Sequence, residues 1–309
     1  IDVSQIEESI SKKTKALFVA HTLGNPFNLD RVVELCNKHN LWLIEDNCDA
    51  LGSIYGNRQT GTFGHISTMS FYPAHHITMG EGGAVITNDG SLYRILMSFR
   101  DWGRDCWCPP GKDNSCSRRF GWKLGNLPEG YDHKYIYSHI GYNLKITDWQ
   151  AAIGLTQLEK LPLFTERRKE NFRLLYEGLQ AFEDYFILPL ATEKSNPSWF
   201  GFPLTLKKST TFSKIDIVKF LEDGKIGTRQ LFAGNILRQP AFIQTPLRLR
   251  IRNSSLLNSQ RLSDKHYRMI PNSDAVMKNT FWIGLWPGID RSAIRSVIER
   301  FEDFIKSRK

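Results

Sequence analysis

With 309 residues, 41% of them apolar and 24% charged, the chain can bury a large core and form one large and one smaller unit. Its net charge of +9 comes from 41 basic residues interleaved with 32 acids and without an aromatic-basic reader motif, which argues against nucleic acid and suits a small anionic substrate. No apolar run approaches the roughly 20 residues that span a bilayer, and the opening Ile1–Glu8 lacks the basic and apolar regions of a signal peptide, so no membrane contact and a cytoplasmic setting are expected.

Apolar runs at Ala16–Ala20 and Leu41–Ile44 enclose Leu29–His39, where Val32, Val33 and Cys36 recur at helical spacing, a strand, helix, strand pattern. Strands follow at Thr68–Phe71 and Ala84–Thr87, then a helix at Ser91–Phe99, an alternation that predicts an α/β fold with a mostly parallel sheet covered by helices on both faces. From Asp101 to His139 no period survives among Trp, Gly, Pro and Cys, and an ordered loop of that length usually carries function. Helical periodicity returns over Asp148–Leu161, with Ala151, Ala152, Leu155 and Leu158 on one face, and again over Phe164–Phe182 as a second long helix.

The expected organisation is a large domain over 1–161 with an insertion at about 101–140, a connecting helix over 162–189, and a smaller C-terminal α/β domain over 190–309. Arg248, Arg250 and Arg252 alternate as on a strand with a solvated charged face. Because the chain opens on a helical stretch with no element to close the sheet, an N-terminal part is expected to be missing.

Asp46 closes an apolar run, at the carboxyl end of a strand, where open α/β sheets bind cofactors. A carboxylate there can pair with a protonated pyridine nitrogen, or simply cap a helix or loop. Gly80, Gly82 and Gly83 are equally consistent with a tight turn. His75 and His76 are imidazoles able to move a proton near neutral pH. Five cysteines are too few for a disulfide scaffold, and the spacing Cys48-x57-Cys106-x-Cys108-x7-Cys116 matches neither paired zinc motifs nor ferredoxin runs, so zinc and iron are equally open. Cys36 belongs to an apolar helix face and reads as core. Arg229 and Arg238 are open between diphosphate contacts and solvated arginines.

Taken together, Glu45-Asp46, Ala50-Leu-Gly52, Ser70-Phe71-x-x-x-His75, Gly80-Glu-Gly-Gly83, Gly141-Tyr-Asn143-Leu, Gln150-Ala-Ala and Gln157-Leu resemble the sugar aminotransferases among the fold type I pyridoxal-phosphate enzymes. The resemblance implies that Asp46 binds the pyridine nitrogen, Ser70 the cofactor phosphate, and Asn143 the phosphate of a neighbouring subunit in a homodimer. Asp49 stands where the family places Gln or His beside the ring oxygen, which leaves its role open. His75 stands where the family's Schiff-base lysine belongs, so the resemblance implies a non-covalently held pyridoxamine 5'-phosphate with His75 as base, or else an inactive relative.

The cysteine pattern together with His75 is similar to that of the iron–sulfur 3-dehydrases of 3,6-dideoxysugar (lipopolysaccharide O-antigen) biosynthesis. That similarity implies a [2Fe-2S] cluster on Cys48, Cys106, Cys108 and Cys116, CDP-4-dehydro-6-deoxyglucose as substrate, C-3 deoxygenation as reaction, and a separate NAD(P)H-dependent flavin/iron–sulfur reductase as electron source. A lysine-free 3-dehydratase without a cluster, and a non-catalytic regulatory or zinc-binding relative, are the alternatives.

Overall fold

The computed structural model describes residues 1–109, 111–244 and 266–308. Arg248, Arg250 and Arg252 lie outside these residues. In chain order the elements of the first half are α1 (Ile6–Ser9), β1 (Ala16–Ala20), α2 (Leu29–Lys38), β2 (Trp42–Asp46), β3 (Ile54–Tyr55), β4 (Arg58–Gln59), β5 (Ile66–Ser70), β6 (Gly83–Ile86) and α3 (Gly90–Arg100). The second half contains α4 (Asp148–Leu179), β7 (Phe186–Ile187), β8 (Ser195–Asn196), β9 (Gly201–Leu206), α5 (Lys214–Asp223), β10 (Thr228–Gln230), α6 (Pro240–Gln244), α7 (Pro271–Asn279), β11 (Thr280–Gly284) and α8 (Arg291–Lys306).

The first sheet runs β1-β2-β5-β6, with β1, β2 and β5 parallel and β6 antiparallel at the edge. Helix α2 starts where the Asn28 side chain accepts from the Arg31 amide, and it buries Leu29, Val32, Leu35 and Cys36, the face its periodicity marks. Buried Glu45 organises the next turn, its carboxylate accepting from the amides of Gly61, Phe63 and Gly64 at 2.8, 2.7 and 2.6 Å and lying 3.0 Å from His21 Nε2. Burial alone raises the pKa of Glu45, but His21 and these amides hold it below its usual value.

The second sheet, β10-β11-β9-β7, is antiparallel, and with α4, α5 and α8 it encloses a core that includes Phe186, Phe202, Phe281, Phe301 and Phe304. A small sheet, β4-β3-β8, joins the two halves through the pairing of Ile54 with Asn196 and Tyr55 with Ser195.

The two helices expected around residue 162 are one, because α4 runs unbroken past Pro162. Proline removes one N–H, and the freed carbonyl of Leu158 is tolerated where the helix faces outward, as it does at exposed Pro162. Thr147 and Gln150 form a reciprocal capping box at its start. The expected burial of Leu155 and Leu158 does not occur within the chain, since they are 66% and 52% exposed beside exposed Trp149 and Ile153. Among the described residues no helix is long and apolar enough to cross a membrane.

Candidate functional site

Strand register places Ala20, Asp46 and Thr68 side by side, so the carboxyl ends of β1, β2 and β5 open onto one crevice. Asp46 is half-buried there, its Oδ1 accepting from the Cys48 amide at 3.1 Å and lying 3.4 Å from the Thr68 hydroxyl. Ser70 ends β5, and its Oγ accepts from the Tyr72 amide at 3.3 Å. Asp49 Oδ2 accepts from the Leu23 amide at 3.3 Å.

The turn after β5 brings His75 to the same crevice, with Nδ1 3.4 Å from Asp49 Oδ1 and the ring tilted against Phe200 at 5.3 Å between centroids. The Ser70–Gly83 segment contains no lysine. Its neighbour His76 is spent structurally: Nε2 donates to the Ser198 carbonyl at 2.8 Å, and burial, aided by the Arg168 charge, lowers its pKa to about 3.

Arg168, from α4, is a component that sequence reasoning missed. Its guanidinium is buried, donates to the carbonyls of Trp199, Phe200 and Leu285, and has its pKa lowered by burial to about 10 against the opposing attraction of Asp49. An arginine in a helix pattern carries no sequence mark of burial. Asn143 stands apart from the crevice in this chain, exposed and bridged through its backbone to Asp101.

The four cysteines fall into two environments. Cys48 is half-buried in the crevice, its sulfur 3.9 Å from the Thr68 hydroxyl. Burial and the adjacent Asp46 carboxylate push its thiol up to about 12. Cys106, Cys108 and Cys116 gather in the loop between α3 and α4, around a residue absent from the expected ligand set. There His133 is fully buried, with Nε2 3.3 Å from Cys116 Sγ and 4.0 Å from Cys108 Sγ. The ligating atoms of Cys106, Cys108 and His133 lie within 4.8 Å of one another, a donor set that suits a thiophilic metal. Cys48, the fourth cysteine of the expected set, is not among the residues of this group. The presence of a histidine in the same unpatterned stretch was the available signal for His133.

Hydrogen bonding from Ser115 lowers Cys108 to about 7, whereas burial raises Cys106 and lowers His133. The loop is pinned by Arg119 on Asp132, by a Lys134–Asp113 ion pair, and by Trp122 stacked on His133 at 4.5 Å and against Trp107 at 4.8 Å. At its base Gly103, with φ of 86°, leaves 1.8 Å between a notional Cβ and the His139 carbonyl, so backbone packs on backbone and only glycine fits. Arg238 is engaged by Asp274, and Arg229 donates to its neighbouring Thr228 carbonyl at 2.7 Å.

A model of the DegT/DnrJ/EryC1/StrS aminotransferase family matches residues 1–302. The lipopolysaccharide biosynthesis protein RfbH of Salmonella typhimurium is 54% identical over 98% of this chain and 66% of its own length. A dTDP-4-dehydro-2,6-dideoxy-D-glucose 3-dehydratase of Saccharopolyspora spinosa is 50% identical over 97% of this chain and 61% of its own. The chain thus spans somewhat under two thirds of the length of these relatives. An Escherichia coli GDP-4-keto-6-deoxy-D-mannose-3-dehydratase solved with hydrated PLP superposes with a TM-score of 0.78 at 26% identity, over 97% of this chain and 70% of that one. The architecture is therefore that of fold type I PLP-dependent enzymes, as the sequence resemblance implies.

Proposed function

The chain belongs to the DegT/DnrJ/EryC1/StrS aminotransferase family, and from that premise we propose that the protein is a nucleotide-sugar 3-dehydrase, deoxygenating CDP-4-dehydro-6-deoxyglucose at C-3 for lipopolysaccharide dideoxysugars. The observation that carries this reading is His75, set in the strand-end crevice with Asp46 on a turn that contains no lysine. Relatives bearing the names of 3-dehydratases support the reaction class.

The donor set in the crevice suits pyridoxamine 5'-phosphate, with a carboxylate at the strand end, a hydroxyl at Ser70, and the His75 imidazole beside Asp49. When bound, the cofactor supplies an amine that condenses with the sugar ketone and a ring that withdraws electrons. Asp46 would hold a proton on the pyridine nitrogen, Ser70 would bind the phosphate, and His75 would take the proton at the cofactor C4′ carbon. Asn143 acts on the phosphate of a second copy, whose surface covers the exposed apolar run of Ile140, Tyr142, Leu144 and Trp149.

Finishing the deoxygenation requires reduction. A [2Fe-2S] group held by Cys106, Cys108, Cys116 and Cys48 would supply those electrons, drawn from a separate NAD(P)H-dependent flavin/iron–sulfur reductase. Cys48 is not part of the loop group, whereas His133 is already beside the loop thiols and is the rival fourth ligand. In protein purified without oxygen, iron content and the visible spectrum of Cys48→Ser and His133→Gln decide between these fourth ligands. Pyridoxamine absorption alone would favour a 3-dehydratase without a cluster, and neither signal would favour a non-catalytic relative.

The direct test is exchange of the cofactor C4′ hydrogen with solvent in the presence of substrate. His75→Asn should retain cofactor and slow exchange by about 10²–10⁴-fold, the usual cost of losing a general base. Undiminished exchange would remove His75 from this role.

A further inference from the structure

We propose that Asp49 is a positioning residue for His75, fixing its imidazole as the Nδ1–H tautomer so that the lone pair lies on Nε2; the proposal rests on the reading of His75 as the base. His75 Nδ1 lies 3.4 Å from Asp49 Oδ1, within reach of a hydrogen bond but without the alignment of a formed one, and Nδ1 has no other partner. A modest rotation that aligns ring and carboxylate makes it a hydrogen bond in which Nδ1–H donates to Asp49. No described group engages Nε2 of this ring, so the other nitrogen is left available to accept a proton.

Asp49 is itself held from two sides. Its other oxygen, Oδ2, accepts from the Leu23 amide, and Leu23 is 2% exposed with its backbone in the left-handed region at φ of 52°. That conformation is unfavourable for leucine, and here it turns an N–H toward the carboxylate. The buried Arg168 cation attracts Asp49 from the α4 side, and Phe200 and Tyr72 flank the imidazole at 5.3 and 6.4 Å between centroids. A carboxylate in place of the family's Gln or His therefore has a partner in the histidine that replaces lysine, and the two departures from the family pattern form one device. His76 cannot substitute, because its Nε2–H is committed to the Ser198 carbonyl.

Asp49→Asn makes a sharp probe. The amide oxygen can still accept from Leu23, which turns the NH2 group toward Nδ1, and a donor there selects the opposite tautomer with the proton on Nε2. Such a wrong-tautomer defect is the expected cost of replacing an orienting aspartate by asparagine. The experiment uses the full chain labelled with 15N-histidine, reading ring-nitrogen shifts above the imidazole pKa, with and without pyridoxamine phosphate. His75 is assigned by the signal lost in His75→Asn.

The expected result is Nδ1–H for His75 in the parent protein and Nε2–H in Asp49→Asn, with C4′ hydrogen exchange slowed about 10²–10⁴-fold. The His76 resonances, set by Ser198, should be unchanged and so report an intact fold. A parent His75 carrying its proton on Nε2 overturns the proposal, as does a tautomer change in Asp49→Asn with undiminished exchange. If Asp49→Asn disturbs His76, the parent tautomer decides alone. If His75→Asn leaves exchange intact, the general-base reading fails separately, and the ring shifts still decide whether Asp49 sets the tautomer.

Discussion

The strand-end crevice and the loop between α3 and α4 shift two of their thiols, Cys48 and Cys108, in opposite directions, and the contrast follows from how each region is built. In the crevice, the β1-β2-β5 register fixes Asp46 and places the Cys48 thiol beside it, so burial and negative charge together push the thiol up to about 12. Among the described residues the loop has only isolated backbone bridges, such as Arg104 with Tyr137, and side-chain contacts such as Arg119–Asp132 and Trp122–His133 pin it. There a hydroxyl at Ser115 lowers Cys108 to about 7. One region keeps the Cys48 thiol protonated beside carboxylates, and the other lowers the Cys108 thiol beside a buried imidazole.

Alkylation of the metal-free protein near pH 7 offers the largest test of this contrast. About half of Cys108 is thiolate there against roughly one part in 10⁵ of Cys48, and the lower intrinsic nucleophilicity of the more acidic thiol returns a factor of about 10²–10³. Cys108 should therefore react with iodoacetamide about 10²–10³-fold faster, read by peptide mass spectrometry over time. Equal rates would erase the electrostatic distinction.

The next test breaks the loop and spares the crevice. Gly103→Ala must place its Cβ against the His139 carbonyl from a left-handed backbone, at an expected cost of about 2–4 kcal/mol. Gly125→Ala, at φ of 58° with open space around it, should cost about 1 kcal/mol. Denaturant midpoints compare the two, and similar losses would show that the close approach of Gly103 to the 139–141 strand of chain is not a constraint.

The last test concerns pH and belongs to the crevice. His76 is held neutral, its pKa falling from 6.5 to about 3, mainly by burial. The unfolded chain thus binds a proton that the native state refuses, so stability is fully present above pH 6.5 and declines as pH falls toward 3, with a slope of at most one proton. His76→Gln, which keeps a donor for the Ser198 carbonyl, should flatten this limb of the stability curve. An unchanged slope between pH 6.5 and 4 would show that other groups dominate acid unfolding.

Periodicity in the chain was enough to locate β1, α2, β2, β5, β6 and α3 to within a few residues, because amphipathic spacing and strand-length apolar runs are local properties. Asp46 at a strand end and His75 on a lysine-free turn were likewise legible, since both depend on order along the chain. The continuity of α4 was not. Whether a proline breaks a helix depends on what surrounds the freed carbonyl, and the exposed side of α4 at Pro162 is a tertiary fact.

Cysteine spacing recorded which thiols exist but not which ones meet. His133 sits 3.3 Å from Cys116 because the loop folds back through Arg119 and Asp132, a closure with no periodic signature. Likewise the buried guanidinium of Arg168 and the left-handed Leu23 that steadies Asp49 come from segments far apart in the chain. The sequence by itself determined the alternation of strands and helices, the acid at the strand end and the histidine on a lysine-free turn, all consequences of local pattern. Only the tertiary structure decided which carboxylate faces that histidine and which residues surround the thiols, because desolvation and charge act through distance in space rather than separation in sequence.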